Sequence, residues 1–439
     1  MNLPVSLKKN VTVFFCLLLC AGAVFASSAA PEKKVPQAKE DDAFSNIQIF
    51  TRVMEIIRRH YVDKEKISYQ ALTYGALKGM LGALDPHSQF MEPDVFAAMK
   101  EETEGEFGGL GITISVRDGW VTIVTPMEDT PGFKAGLQSG DRILRVDRKS
   151  TERLTLGEVV KRLRGEVGTP VILTVLRPAT DEIKEFNIVR ANIKLDSVKE
   201  VKLLPPEIAG SEKIGYIRVT QFNEPTSKEF EAALQKLEKQ SMSALVVDLR
   251  NNPGGLLDTA AGVAGKFIPA GDLIVSTEGR ASLRSPDSGA SVVRSVHEPK
   301  HLGYPVAVLV NTGSASGAEI VAGALKDSKK AVVIGETTFG KGSVQSVLPL
   351  PDQSAIRLTT AKYYTPSHRE IHQHGVEPSV FAPMSRDMEE KLWLLKSGAP
   401  LNNEDKKFVS DACDTQLERA VFLLKGIRLY AGRLHSSNR

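Results

Sequence analysis

Two short runs of consecutive apolar residues set the strongest limit on the fold. They are Ala244-Leu245-Val246-Val247 and Val306-Ala307-Val308-Leu309-Val310. A strand with one wet face alternates apolar and polar residues, whereas a strand apolar at every position is covered on both faces. Such strands alternating with helices make a sheet between helical layers. The neighbouring segments agree: 213–221 and 331–334 read as further strands, and 225–240 and 315–325 as helices. The expected class is α/β, in the wider α+β sense, for a body spanning about 193–385.

The rest of the 439 residues has a different grammar. Short β-type runs at 111–116, 120–126, 142–147, 171–177 and 186–190 alternate with two short helices near 132–137 and 156–164. Arg117-Asp118-Gly119 and Ser139-Gly140-Asp141 supply turns between them. This is a complete small domain, 104–192. Before it, Phe44, Ile47, Phe50, Val53, Ile57 and Tyr61 recur every three or four residues, and 69–84 continues as helix, giving a helical region 44–103. A helical C-terminal region, 386–439, carries Leu417, Val421, Leu424 and Ile427 along one stripe of a helix over 404–429.

The first residues read as an address. Lys8 and Lys9 precede an uncharged apolar stretch over 11–26, and Val24-Phe25-Ala26 offers a cleavage point. Residues 1–26 are expected to be a signal peptide and 27–43 a tether, so the protein is expected to be exported to the periplasm or cell envelope. Left uncleaved, the segment would be its membrane attachment. Cys16 and Cys20 fall in that segment, leaving Cys413 as the one mature thiol, so no disulfide scaffold is possible. The formal charge of +3 gives no pull toward nucleic acid.

Four motifs carry chemistry. In Asn311-Thr312-Gly313-Ser314-Ala315-Ser316-Gly317-Ala318-Glu319 a strand ends and a helix begins. A serine there faces unpaired backbone N–H groups and a positive dipole, which suits a nucleophile beside an oxyanion site. Read alone, the same serine also serves as an N-cap. In Gly335-Glu336-Thr337-Thr338-Phe339-Gly340-Lys341-Gly342-Ser343-Val344-Gln345 a lysine lies among glycines and apolar residues. Burial lowers a lysine pKa and makes it a base, Phe339 and Val344 offer walls, and Gln345 can orient the amine without adding charge. Gly335-x4-Gly340-Lys341 imitates a phosphate-binding loop. However, position 342 is Gly where a metal-holding hydroxyl is needed, and a strand follows instead of a helix. The eight histidines supply rival bases, and His368, His372 and His374 share one segment, without a partner cluster that would make a metal site.

The third motif, Asp248-Leu249-Arg250-Asn251-Asn252-Pro253-Gly254-Gly255, runs from a strand into a turn with exposed N–H groups, a second source of oxyanion donors or only a tight turn. The fourth, Gly105-Glu106-Phe107-Gly108-Gly109-Leu110-Gly111-Ile112, is a glycine loop entering a strand. It suits capture of a peptide's terminal carboxylate by Gly109, Leu110, Gly111 and Ile112, with the strand edge pairing to the peptide, and read alone it is also just a hairpin.

Together these motifs resemble the carboxy-terminal processing proteases, tail-specific peptidases of serine family S41. The likeness spans about 45–430. Phe107-Gly108-Gly109-Leu110-Gly111-Ile112, Pro131-Gly132-Phe133-Lys134-Ala135-Gly136-Leu137 and Arg164-Gly165-x-x-Gly168-Thr169 resemble that family's PDZ domain. The serine, lysine and Pro-Gly-Gly motifs resemble its protease core, and Leu84-Asp85-Pro86-His87-Ser88, Tyr363-Tyr364-Thr365-Pro366-Ser367 and Asp414-Thr415-Gln416-Leu417 its flanking patterns. The resemblance implies Ser316 as nucleophile, Lys341 as general base and Gln345 as its positioner. Gly254 or Gly255, with Gly317, would supply the oxyanion N–H groups. It implies a crotonase-like ββα core, no metal and no cofactor, protein substrates with exposed C-terminal tails, homo-oligomers and a helical-repeat adaptor. A non-catalytic PDZ scaffold or chaperone is the rival expectation. His368-Arg369-Glu370 stands where the family usually has Gly-Arg-Ser, so substrate preference is expected to diverge there.

Overall fold

The computed structural model describes residues 42–437, apart from 118, 128, 179, 281–289, 302, 397–400 and 402. The expected signal peptide and nearly all of the expected tether lie outside the described residues. The chain divides into two units, Met1–Leu72 and Thr73–Arg439.

In the first unit a helix, Ala43–His60, starts at Asp42, whose carboxylate accepts the N–H groups of Phe44 and Ser45. Arg58, Arg59 and His60 close it at the negative end of its dipole. Phe44, Ile47, Phe50 and Val53 remain exposed along it. Among the described residues, no helix is long and apolar enough to cross a membrane.

The second unit is built on a six-stranded sheet ordered Val198–Leu203, Ile214–Val219, Ala244–Asp248, Val306–Val310, Ala331–Gly335 and Val380–Phe381. The first pair is antiparallel and the others are parallel. Every residue of Ala244–Asp248 and Val306–Val310 is buried, as their unbroken apolar runs require. One face carries Thr226–Lys239, Leu257–Ala264 and Gly317–Asp327, whose Phe230, Val263 and Val321 pack with Val247 and Val308. The other face is covered by Thr415–Ser437, whose Leu417, Val421 and Leu424 meet Tyr216, Val246 and Leu309.

The expected helix over 404–429 is in fact two, Asn403–Phe408 and Thr415–Ser437. The break falls at Asp414, whose carboxylate accepts the Leu417 N–H and so starts a new helix. A strand, Gln89–Met91, interrupts the expected N-terminal helices. It pairs antiparallel with the long strand Ala355–Tyr364, Gln89 opposite Arg357. Phe90 and Met91 are buried there, and three residues are too few to show a period in sequence. Ala355–Tyr364 also pairs with Ser343–Pro349 and Leu273–Gly279.

The small domain is a sheet ordered Ile112–Arg117, Trp120–Pro126, Arg142–Val146, Pro170–Arg177 and Glu182–Val189. Ile123, Ile143, Val159, Leu173 and Val175 fill its core. Arg177 grips the buried Asp141 with two hydrogen bonds of 2.8 Å, a forked pair that locks one strand to the turn before another. Glu106–Gly109 pairs with Ala191–Lys194, bringing the entry and exit of this domain together.

Candidate active site

Val306–Val310 runs out of the central sheet into a turn, and the helix Gly317–Asp327 begins immediately after it. The two serines of that turn have different fates. Ser314 is fully buried; its hydroxyl donates to the Leu249 carbonyl at 2.8 Å and accepts the Asn311 N–H at 3.0 Å. Ser316 stands at the helix N-cap with φ 51° and ψ −111°, a conformation that side chains adopt only under strain of roughly 1–3 kcal/mol. Such strain persists where the surroundings enforce it.

Two neighbours enforce it. The Pro-Gly-Gly turn lies so close that a Cβ on Gly254 would fall 2.6 Å from the Ser316 Cβ and 2.8 Å from the Gly317 nitrogen. The second is Glu319, completely buried one turn into the helix. Its carboxylate accepts the Ser316 N–H (2.8 Å), the Thr338 hydroxyl (2.5 Å), the Gly340 N–H (2.7 Å) and the Lys341 N–H (2.9 Å). One side chain therefore ties the backbone of the serine to the backbone of the lysine loop. Burial pushes Glu319 above its ordinary range, while these hydrogen bonds favour the charged form.

Lys341 follows a strand that ends at Gly335, in a loop held between that strand and Ser343–Pro349. Gly342 lets the loop Ile371–His372 press against it, since a Cβ there would lie 2.1 Å from the His372 nitrogen. Lys341 is half-buried, and among the described residues it makes no ion pair. Burial lowers its pKa first, and the nearby charge of Arg357 second, with Glu319 opposing. The expected wall from Phe339 does not form, because Thr338 and Gly340 turn inward to Glu319 and the ring between them is 63% exposed. Val344 does line the cavity.

Gln345 donates through Nε2 to Thr359 Oγ1 at 2.8 Å and Ser343 Oγ at 3.1 Å. Its Oε1 is buried without a hydrogen-bond partner among the described residues. Ser316, Lys341 and Gln345 line one cavity of about 540 Å³, together with Gly255, Asp258, Arg357 and Tyr363. A larger cavity of about 720 Å³ shares Asp258 and Val293 with it, but its walls hold His301, Glu231 and Lys266 and none of the candidate catalytic groups.

The oxyanion expectation is corrected at one position. Gly254 donates its N–H to Asn252 Oδ1 at 2.8 Å, so that group is already committed. Gly255 lines the cavity, and Gly317 opens the helix where its N–H has no partner within the helix. In the small domain, Gly109 ends its strand, Leu110 is buried, and Ile112 begins the strand at the edge of the sheet. The Leu110 carbonyl takes the Gly132 N–H and the Gly111 carbonyl takes the Met127 N–H, which fixes the loop.

His368 meets Glu278 at 3.0 Å, and His374 Nδ1 lies 2.8 Å from the His372 carbonyl. Among the described residues no group of three or more His, Cys, Asp or Glu is placed to hold a metal ion. His87 is half-buried, and burial and then the charge of Lys341 lower its pKa.

Residues 213–381 match the family described as Peptidase family S41, and residues 122–177 match a PDZ domain. A carboxy-terminal-processing protease of Bartonella bacilliformis is 39% identical over 81% of this chain and 79% of its own. This chain belongs to peptidase family S41. A carboxy-terminal processing protease of Bacillus subtilis is 32% identical over 93% of this chain and 80% of its own. Among solved structures, a photosystem II D1 C-terminal processing protease is 32% identical, covering 77% of this chain and 93% of that one, with a TM-score of 0.45. The chain is thus a serine-type peptidase of the carboxy-terminal processing kind, bearing a PDZ domain and acting on proteins. That sets aside the non-catalytic scaffold.

Sequence reasoning missed three things here. Glu319 was visible only as the last letter of Ser-x-x-Glu, a capping-box pattern that signals a helix start, not a clasp. Thr359 and Arg357 lie on a strand with no motif. The Leu84–Ser88 pattern was visible, but not the contact of its Ser88 with Thr359.

Proposed function

We propose that this peptidase cleaves with a Ser316–Lys341 dyad, on substrates delivered by their free C-terminus. The observation that carries the reading is the single cavity collecting Ser316, Lys341 and Gln345. Lys341 Nζ, whose pKa burial lowers, takes the Ser316 hydroxyl proton in its deprotonated form as Oγ attacks the peptide carbonyl carbon. The N–H groups of Gly255 and Gly317 hold the oxyanion. The tetrahedral intermediate collapses, the ammonium of Lys341 protonates the departing amine, and an acyl-enzyme ester remains. Water, deprotonated by Lys341, then attacks the ester and frees Ser316. Gln345 Oε1, buried without a partner at rest, is the acceptor available to one N–H of the amine during the reaction, which would hold its lone pair toward the serine.

The tail enters through the PDZ loop Gly109, Leu110, Gly111 and Ile112, and adds a strand beside Ile112–Arg117, which has only one strand neighbour among the described residues. Export belongs to the same reading, on the strength of Lys8, Lys9 and the apolar run after them. So do homo-oligomerisation and a helical-repeat adaptor, supported by the family resemblance and, for the former, by the exposed apolar residues Phe44, Ile47, Phe50 and Val53.

Replacing Ser316 or Lys341 by Ala should abolish cleavage of an unfolded protein. A Lys341→Ala enzyme with near-normal rate would return the base to the histidines. A peptide with an amidated C-terminus should be cut more slowly than its free acid; equal rates would remove the carboxylate-capture step.

A further inference from the structure

The catalytic reading leaves Leu84-Asp85-Pro86-His87-Ser88 without a part in the reaction. We propose that Asp85, acting through Ser88 and Thr359, decides which end of the Gln345 amide faces Lys341, and so is a positioning residue for the base. The inference rests on the Ser316–Lys341 reading.

The side-chain amide of glutamine is nearly symmetric in shape, so its orientation is set by its hydrogen-bond partners. Here the partners form a chain that begins at a carboxylate. Asp85 Oδ1 accepts the N–H groups of His87 and Ser88, each at 2.8 Å, closing a tight turn. Asp85 Oδ2 accepts the Ser88 hydroxyl at 2.7 Å. An ionised carboxylate has no proton to give, so the single proton of the Ser88 hydroxyl is drawn to it.

Ser88 Oγ also meets Thr359, as acceptor of its N–H at 3.1 Å and as the donor in the longer contact, 3.4 Å, with its hydroxyl. The Thr359 hydroxyl itself bonds toward the Asp85 carboxylate, which draws its proton, and its lone pair accepts Gln345 Nε2 at 2.8 Å. The polarity runs one way, from carboxylate to amide, and leaves Gln345 Oε1 as the buried end without a partner.

That end matters to an amine base. A neutral amine has two N–H groups and one lone pair. An oxygen facing it takes an N–H and leaves the lone pair for the serine proton. An NH₂ facing it would take the lone pair and disable the base. Burial opposes the charge on Asp85, yet hydrogen bonds from Ser88 and His87 outweigh it and hold the carboxyl below its ordinary range. The polarity thus survives at mildly acidic pH.

Asp85→Asn tests this. Asparagine keeps the turn through its own oxygen, but its NH₂ donates to Ser88, which reverses the chain and frees the amide to turn. We expect kcat on a free-acid peptide to fall roughly tenfold or more, with KM unchanged. The acidic limb of the kcat/KM profile should move to lower pH, because a donor facing the amine disfavours its ammonium form. The other titratable and charged groups around Lys341, namely Arg357, Glu319 and His87, with Asp258 and Tyr363 in the same cavity, stay in place in this variant. Thr359→Val, which removes only the linking hydroxyl, should give the same pair of changes and serves if the asparagine variant fails to fold. Folded enzyme with unchanged kcat and an unmoved limb would overturn the proposal. So would a fall in kcat with the limb unmoved, since that is what loosened structure alone produces. Failure of the dyad itself is read separately, as retained activity in Lys341→Ala.

Discussion

Asp248 and Glu319 are both buried carboxylates beside the central sheet, and they are satisfied in opposite ways. Asp248 is clasped by the Arg250 guanidinium at 2.9 and 2.7 Å and by the Tyr216 hydroxyl at 2.6 Å. The same guanidinium holds Asp414 at 2.8 Å through each of two nitrogens and reaches Gln416. Charge meets charge, and the result joins the end of a core strand to the start of the C-terminal helix. Glu319 has no cation in contact among the described residues. Its partners are three backbone N–H groups and one hydroxyl, drawn from the serine turn and the lysine loop. A cation there would sit beside Lys341 and change its charge balance; neutral donors hold the loops without doing so. The first network is a bolt for the fold, and the second is a clasp for the site.

The comparison can be broken in order of expected size. Arg250→Met takes the cation away from the buried Asp248 and the half-buried Asp414 and should cost about 3–5 kcal/mol of stability in a denaturant titration, with turnover per folded molecule little changed. A large loss of kcat without a loss of stability would reverse the two assignments. Glu319→Gln keeps the shape but puts an NH₂ group against N–H donors. It should lower kcat roughly hundredfold through misplacement of serine and lysine, with only a small change in melting temperature. Tyr216→Phe removes one hydrogen bond to a charged group and should cost about 1.5 kcal/mol of stability, leaving kcat untouched.

The smallest effect is in pH. Burial raises the Glu319 carboxyl above its ordinary 4.5. A group so shifted stabilises the native state below that value and loses the contribution as pH rises through its native pKa. Melts of wild type and Glu319→Gln across that window should show wild type losing relative stability as pH rises. Its relative kcat should rise over the same window, because only the carboxylate accepts all four donors. Relative stability rising with pH would show that hydrogen bonding outweighs burial at Glu319, as it does at Asp85.

The strands of the central sheet were legible because burial on both faces writes an unbroken apolar run. The helix after Ser316 was legible because small residues at a strand end announce a turn. Ser316 and Lys341 could be named from their motifs and the family resemblance. Phe339 was misjudged because alternation around a buried carboxylate, invisible in sequence, turned it outward. Gly254 was misjudged because the Asn252 side chain, two residues away, claims its N–H. The break before Thr415 is hidden in the sequence because Asp414 sits inside a helical pattern, yet in the structure it caps a helix and answers Arg250 as well.

By itself the sequence determined the class of fold, which rests on local periodicity and turn chemistry, and its motifs, through the family resemblance, named the candidate residues for acyl transfer. Only the tertiary structure decided how those residues are held. It placed a serine in a strained conformation, hung the serine and lysine loops on one carboxylate, and brought Asp85 within reach of Gln345 through a strand far along the chain. Hydrogen-bond polarity and burial depend on distance in space, and separation along the chain does not encode them.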